Sequence, residues 1–297
     1  MDRSGIRPPD GLGSGALRIS VRHSTVYRYD APVFLEPHML RLRPRVDGSQ
    51  RLTAYSLKIK PAPDGITELL DQDGNTAALT WFAGPVDELR IYSAFEVETL
   101  RENPFDYILP SSELFSLPLN YGEPLRSALY ASTQFSGSGE VRQFAQLVAE
   151  ANGGRTLDFL SGLTRALFER TRHIVRDEGA PLAPEVTLRD ATGSCRDLAV
   201  LFAAACRCMG IPARFVSGYE TGGTEFLEHA HMHAWAEVYL EGGGWRGYDP
   251  SRGLAVAAGH VAVAAAADPV LAAPVTGTFR GRANAAMQFQ ISVQAAA

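Results

Sequence analysis

A chain of 297 residues with 45% hydrophobic and 21% charged residues has enough apolar material for one large domain or two smaller ones. The 33 acidic and 28 basic residues give a net charge of -5, which argues against a nucleic-acid-binding surface or a polybasic membrane anchor. No uncharged apolar run reaches the roughly 18 residues of a membrane span. Residues 1–16 have no apolar core of a signal peptide and are predicted to be a disordered lead-in, so a cytoplasmic location is expected.

Residues 17–102 are predicted to form an N-terminal antiparallel β domain of the sandwich type. Apolar and polar residues alternate in 18–22, 55–59 and 95–98, which is the period of a half-buried strand. Turn-forming Asp, Gly, Pro and Asn residues separate these runs at short intervals, as expected for consecutive short strands.

Residues 103–124 are predicted to connect this domain to a second one. Four prolines interrupt the segment, so it cannot form a long helix. It also carries four aromatic residues, which we expect to pack across the domain boundary: Phe105, Tyr107, Phe115 and Tyr121.

Residues 125–297 are predicted to form the core domain, in which helical patterns precede strand-like ones. The run Leu198–Cys206 is apolar nearly all round, which predicts a buried helix that ends before Gly210 and Pro212. Strands are then predicted at 213–219, 234–240, 245–249 and 287–293. The fold class is therefore α+β.

The start of the buried helix carries a candidate nucleophile. Ser194 and Asp197 form a capping-box pattern, which makes Cys195 the first helical residue. A thiolate at this position is stabilised by free amides and the helix dipole, and the same amides can bind an oxyanion. Gly193 is expected to allow a sharp turn into the helix. Cys206 and Cys208 are interpreted as packing residues.

Three histidines alternate along an extended stretch: His229, His231 and His233. On one face of a strand they could hold a metal, but no Asp or Cys stands at a matching ligand spacing. We therefore predict no metal and assign the role of the base to His233, with His229 and His231 at the rim.

Asp249 is predicted to orient His233 across a hairpin. If the loop consists of the three residues 241–243, Asp249 lies opposite Trp235 and on the same face as His233. A two-residue loop would place Asp249 on the other face, and Asp249-Pro250 could also be simply a turn.

Several separate motifs, in order, resemble the bacterial transglutaminase-like family. In the core they are residues 193–197, 210–214, 218–219, 233–238 and 245–250, and upstream they are residues 23–29, 37–44 and 73–75. The resemblance implies a papain-like α+β core with a triad of Cys195, His233 and Asp249, preceded by the family's N-terminal β domain. Cross-linking transglutaminases, amidases and thiol proteases share this core, so the resemblance does not choose among them.

The chain departs from the family pattern in two places. Residues 173–177 lack the aromatic residue often found before the nucleophile loop, which leaves the second oxyanion donor open. Residues 264–269 lack the Gly-Arg-Asp-Tyr sequence typical of the tail. The calcium loops of animal transglutaminases have no counterpart in this chain, so the resemblance implies no calcium.

The function expected from these features is thiol-dependent hydrolysis of amide bonds in peptide or protein substrates, through a thioester. The alternatives are transfer of the acyl group to an amine, as in a protein-glutamine γ-glutamyltransferase, and an inactive binding module. Ser194, His231 and Trp235 are expected to line the substrate cleft. No cofactor, nucleic-acid partner or membrane partner is expected, and the sequence leaves the oligomeric state open.

Overall fold

The computed structural model describes residues 17–135, 137–176, 178–221 and 231–296 and has the α+β class predicted from the sequence. The lead-in predicted for residues 1–16 lies outside the described residues. Within the described ranges, no helix is long and apolar enough to cross a membrane.

The N-terminal part consists of two antiparallel sheets built from six strands that follow one another along the chain. These strands are β1 (Arg18–Leu35), β2 (His38–Leu40), β3 (Gln50–Lys60), β4 (Gly65–Leu70), β5 (Thr76–Trp81) and β6 (Pro85–Thr99). β1, β6 and β3 lie in the first sheet and β2, β5 and β4 in the second. Apolar side chains of both sheets share a core that includes Val33, Leu40 and Ile91.

The core domain begins with helices, which are α1 (Leu125–Ala128), α2 (Tyr130–Thr133), α3 (Gly139–Ala151), α4 (Thr156–Arg170), α5 (Pro184–Asp190) and α6 (Cys195–Cys208). Of these, α3, α4 and α6 bury apolar side chains. Two short strands, β7 (Arg172–His173) and β8 (Thr192–Gly193), pair in parallel just before α6. The sequence pattern does not predict α5 or these two strands, because each is shorter than the window in which periodicity can be recognised.

Helix α6 packs against a five-stranded antiparallel sheet with the order β12-β11-β10-β9-β13. The strands are β9 (Ala213–Glu220), β10 (His233–Leu240), β11 (Gly244–Asp249), β12 (Leu254–Ala255) and β13 (His260–Ala266). Both faces of this sheet are covered, so β13 is buried along its whole length. The predicted Leu198–Cys206 helix and the first three predicted strands are confirmed.

The end of the chain returns to the N-terminal sheets. These last strands are β14 (Val275–Thr276), β15 (Phe279–Arg280) and β16 (Ala285–Ala296). β14 pairs with β2, and β15 and β16 both pair with β1. The final strand was predicted correctly as a strand, but its assignment to the core domain differs from the pairing observed. Alternation identifies a strand and carries no information on its partner.

The connector, residues 103–124, contains one 3-10 helix (Ser112–Phe115) and runs along the surface of the core domain. Tyr121 donates a hydrogen bond to the carbonyl oxygen of Tyr239 at 2.7 Å, and the Tyr107 ring lies against the guanidinium of Arg246. Phe105 and Phe115 are exposed. The prediction that these aromatics pack across the domain boundary is therefore not met: two pack on the core and two face solvent.

Two buried amide side chains fasten the N-terminal part to the free edge of β13. Gln50 accepts a hydrogen bond from the Ala262 amide at 2.9 Å and donates one to the Ala262 carbonyl at 2.8 Å. Asn75 accepts from the Ala265 amide at 2.8 Å and donates to the Ala265 carbonyl at 3.0 Å. These side chains take the place of a neighbouring strand, because a buried backbone edge needs partners for its polar groups.

We predict that Asn75→Leu destabilises the protein. The substitution keeps the number and branching of the side-chain heavy atoms but leaves the buried amide and carbonyl of Ala265 unpaired, which should cost about 2–4 kcal/mol in total. The measurement is the free energy of unfolding in urea. The matched control is Gln72→Leu at an exposed neighbouring position, where a change within about 0.5 kcal/mol is expected. Equal stabilities of the two variants would contradict the role of Asn75.

Candidate active site

Cys195 is the first residue of α6, as the capping box predicts. Asp197 Oδ2 accepts hydrogen bonds from both the amide and the hydroxyl group of Ser194, each at 2.7 Å. Gly193 was predicted to allow a sharp turn into the helix, but it does not adopt a positive φ. A Cβ atom there would lie 3.0 Å from Thr187 Cγ2 and 3.1 Å from Asp197 Cβ, so the site requires close packing.

The charge of Asp197 is compensated by a residue that the sequence did not indicate. Its carboxylate is fully buried, and Oδ1 accepts hydrogen bonds from Arg176 Nη2 and from the Leu182 amide, both at 2.7 Å. Arg196, which stands next to Cys195, instead hydrogen-bonds to backbone carbonyls, including that of Arg176. The Arg176 guanidinium therefore balances the negative charge that would otherwise oppose a thiolate at Cys195.

His233 is the first residue of β10, where it pairs with Gly218 of β9. A Cβ atom at Gly218 would lie 2.7 Å from the Trp235 ring and 2.1 Å from the Val261 carbonyl oxygen. Glycine at this position leaves room for the Trp235 ring, which stacks with the ring of His233 at 6.2 Å between centroids. The His233 ring is thus supported on one face by a buried aromatic side chain.

The hairpin formed by β10 and β11 has the predicted three-residue loop. Leu240 pairs with Gly244 and Ala236 with Tyr248, and the same register sets Asp249 opposite Trp235. The Asp249 carboxylate reaches diagonally across the hairpin to His233 and hydrogen-bonds to it, with 2.6 Å between Asp249 Oδ2 and His233 Nε2. The second ring nitrogen of His233, Nδ1, is therefore the one left for the thiol.

Asp249 is a fully buried charge surrounded by five hydrogen-bond donors. Oδ2 accepts from His233 and His260, at 2.6 and 3.0 Å. Oδ1 accepts from the amide and hydroxyl group of Ser251 and from the Arg252 amide, at 3.0, 2.7 and 3.2 Å. Burial by itself raises the pKa of the Asp249 carboxyl group, but the hydrogen bonds from the two imidazoles lower it well below its usual range.

His260 was not identified in the sequence analysis. It is the first residue of β13 and hydrogen-bonds to Asp249, and its ring lies edge-on to that of Trp235 with 5.1 Å between the ring centroids. Eleven residues separate it from Asp249. Their spacing in the sequence does not predict that the two residues meet, because a loop separates them and β13 is not a neighbour of β11 in the sheet.

The environment of Cys195 favours the thiolate. Burial raises the pKa of its thiol, but hydrogen bonds to the His173 and His233 side chains, the charge of His233 and the Ala234 amide outweigh burial and lower the pKa to about 6. His233 shows the complementary effect. Burial lowers its pKa, whereas the hydrogen bonds to Asp249 and Cys195 raise it to about 10. The two groups therefore favour a thiolate–imidazolium pair between these pH values.

The other two cysteines are held as thiols. Burial raises the pKa of Cys206 well above the ordinary value, and it raises that of Cys208 to about 11. Cys206 lies in the apolar core, and neither residue lines the cavity in front of Cys195. This agrees with their interpretation as packing residues.

A cavity of about 620 Å³ opens in front of Cys195 between the two parts of the chain. One wall is the N-terminal sheet, where the alternating residues Met287, Phe289 and Ile291 of β16 face the cavity. The residues opposite them on β1 face it as well, and His23 there hydrogen-bonds to the hydroxyl group of Tyr219 on β9 at 2.7 Å. The N-terminal part thus forms one side of the cleft that leads to the thiol.

The three residues predicted to line the cleft have different positions. Ser194 and His231 both line the cavity, although the Ser194 hydroxyl group is engaged by Asp197. The prediction for Trp235 does not fit its position, because this side chain is 1% exposed and lies under His233. It supports the imidazole and does not contact the cavity.

Of the three alternating histidines considered as a metal face, the structure describes His231 and His233. His231 precedes β10, which begins at His233, and His229 lies outside the described residues. Another group, formed by His233, Asp249 and His260, has donor atoms within 4.8 Å of one another, close enough to hold a metal ion. Hydrogen bonds of 2.6 and 3.0 Å to Asp249 Oδ2 already account for the positions of both imidazoles.

Comparison with known families confirms the predicted resemblance in both parts of the chain. Residues 19–98 match the bacterial transglutaminase-like N-terminal region, and residues 156–250 match the transglutaminase-like superfamily. These matches support a family of thiol-dependent acyl-transfer enzymes. An uncharacterized protein from Mycobacterium leprae (strain TN) is 26% identical over 279 residues, covering 89% of this chain and 94% of its own length.

A solved structure shows the same fold. The crystal structure of a Cytophaga hutchinsonii protein proposed to be a cysteine protease matches with a TM-score of 0.72 at 20% identity, covering 95% of this chain and 91% of that chain. At this identity the likeness establishes the papain-like fold alone. The periplasmic domain of TgpA from Pseudomonas aeruginosa covers 77% of this chain and 88% of that chain at 15% identity, and its TM-score of 0.40 carries no argument.

We predict that Asp249→Asn raises the pH at which Cys195 becomes reactive. Without the carboxylate charge the imidazolium of His233 is less stable, and the thiolate loses the partner that lowers its pKa. The acid limb of the iodoacetamide alkylation profile should therefore move up by about 1–2 pH units, towards the ordinary thiol value near 8.5. The matched control is Asp190→Asn on the exposed end of α5, which should leave the limb in place. An unshifted limb in Asp249→Asn would contradict the assigned electrostatics.

Proposed function

We propose that this protein is a cysteine hydrolase that cleaves amide bonds in peptide or protein substrates through Cys195, His233 and Asp249. The observation that carries the proposal is the continuous line of contacts from the Cys195 thiol through His233 to the buried Asp249 carboxylate. Such a line supplies a nucleophile, a proton carrier and a group that orients the carrier.

Acylation begins when the Cys195 thiolate attacks the carbonyl carbon of the substrate. The carbon–sulfur bond forms, and the carbonyl π electrons move to oxygen. The Cys195 amide, which is free at the start of α6, is placed to donate a hydrogen bond to this oxyanion. When the oxyanion collapses, the carbon–nitrogen bond breaks and the leaving amine takes a proton from the His233 imidazolium, which leaves a thioester.

Deacylation uses the same residues in the opposite sense. Neutral His233 accepts a proton from water, and the resulting hydroxide attacks the thioester and releases the acid and the Cys195 thiolate. Throughout the cycle the Asp249 charge stabilises the imidazolium, while Ser251, Arg252 and His260 keep the carboxylate in place. Together with the hydrogen bond to His233, these contacts make Asp249 a fixed support for the imidazole that carries the proton.

The lowering of the Cys195 pKa by His233 favours an enzyme over an inactive binding module. A degenerate site has no reason to keep a thiol with a lowered pKa beside a buried ion pair, because isolated buried charges destabilise a fold. The choice between water and an amine as the acyl acceptor depends on cleft groups and on access to the thioester, so transfer to an amine remains the alternative.

The test supplies both acceptors at once. Casein is incubated with the protein and the labelled primary amine dansylcadaverine, and the products are mapped by peptide mass spectrometry. We expect new peptide ends with no dansyl group at glutamine, and loss of cleavage by at least about 10³-fold in Cys195→Ala. Cys208→Ala is the matched control and should retain activity.

Two results would contradict this expectation. Dansyl groups on glutamine side chains would show transfer to amines and favour the transglutaminase alternative. Equal cleavage by the wild-type protein and Cys195→Ala would show that the activity does not belong to this site.

A further inference from the structure

We propose that His173 is a catalytic residue that donates the second hydrogen bond to the oxyanion, beside the backbone amide of Cys195. The inference rests on the proposed acyl-transfer function and adds to it a group outside the Cys195, His233 and Asp249 line. It also answers a question that the sequence leaves open, since residues 173–177 contain no aromatic side chain to fill this role.

The backbone fixes His173 close to the nucleophile. Strand β7 pairs in parallel with β8, and this pairing places His173 opposite Gly193, two residues before Cys195. Backbone hydrogen bonds secure the segment on both sides: the Arg172 amide donates to the Ala191 carbonyl at 2.9 Å, and the Ile174 amide donates to the Gly193 carbonyl at 3.0 Å. His173 is thus carried on a paired strand, which positions a side chain better than a free loop does.

The side chain of His173 lies beside the reacting atom. It lines the cavity in front of Cys195, whereas the neighbouring Arg172 does not, and it is one of the groups that lower the pKa of the Cys195 thiol. The ring is also exposed, so a substrate carbonyl in the cavity can approach it. A donor beside the sulfur lies within reach of the oxygen that develops on the carbon bonded to that sulfur.

The surroundings of His173 suit a donor better than a base. The base position is taken by His233, whose ring is oriented by Asp249 at 2.6 Å. In the described ranges of the chain, no carboxylate forms an ion pair with His173 that would hold it as a proton carrier. Its N–H can therefore point to the oxyanion, while the proton for the leaving group comes from His233.

The two histidines can be separated by comparing two reactions of the same thiolate. Acylation of Cys195 by p-nitrophenyl acetate passes through a tetrahedral oxyanion, and the release of p-nitrophenolate reports its rate. Alkylation by iodoacetamide displaces iodide at a saturated carbon and forms no oxyanion. The ratio of the two rates cancels the thiolate fraction, so it reports the stabilisation of the oxyanion.

We expect His173→Ala to lower the ratio of acylation to alkylation by about 10–100-fold, the order of magnitude expected for loss of one oxyanion donor. His173→Gln retains an N–H donor and should keep the ratio within several-fold of the wild-type value. The matched control is Arg172→Ala on the same strand, which should leave the ratio unchanged. Equal far-ultraviolet circular dichroism of the four proteins verifies their folding.

Two outcomes would overturn the proposal. The first is an unchanged ratio in His173→Ala, including the case in which both rates fall equally, because that pattern assigns His173 to the thiol alone. The second is a ratio in His173→Gln as low as in His173→Ala. Failure of the proposed function would give a different result: wild-type Cys195 would be alkylated rapidly, but the protein would release no p-nitrophenolate. Without acylation there would be no oxyanion, and the proposed role of His173 would be wrong as well.

Discussion

The site depends on one buried charge, the Asp249 carboxylate. It is fully enclosed, and a carboxylate in that environment is stable only when donors surround it. Five hydrogen bonds reach it from β10, β13 and the turn after β11, so the sheet must be complete before the charge is satisfied. Once in place it raises the pKa of His233, and His233 in turn lowers that of Cys195. The reactivity of the thiol is thus set by a residue that does not contact it.

The two parts of the chain meet around this site. Gln50 and Asn75 hydrogen-bond to the backbone of β13, the strand that begins with His260. β16 returns from the core to pair with β1, and residues of both strands form one wall of the cavity. The N-terminal sheets therefore brace a strand of the sheet that carries the candidate site and also shape the cleft. This arrangement gives the N-terminal region a direct way to influence which molecules reach Cys195.

Local sequence signals were sufficient for the central residues. The capping box predicted the start of α6, and the glycine run after Leu240 predicted a hairpin whose three-residue loop, one of two lengths considered, brings Asp249 to His233. Those features depend on neighbours within a few positions along the chain. His173, Arg176 and His260 were not predicted as parts of the site, because parallel pairing, a buried ion pair and a strand crossover bring them there. The partner of β16 and the position of Trp235 were missed for the same reason, since both depend on tertiary packing.

The central claim is that Cys195 is a nucleophile activated by His233, and selective alkylation tests it without a known substrate. The native protein is treated with limiting iodoacetamide, and the label is located by peptide mass spectrometry in the wild type and in His233→Ala. At about pH 6.5, we expect Cys195 to react on the order of 10²-fold faster than Cys208. The larger thiolate fraction of Cys195 outweighs the lower nucleophilicity of the thiolate formed by a more acidic thiol. This preference should be lost in His233→Ala. Equal labelling of Cys195 and Cys208 in the wild type would contradict the account.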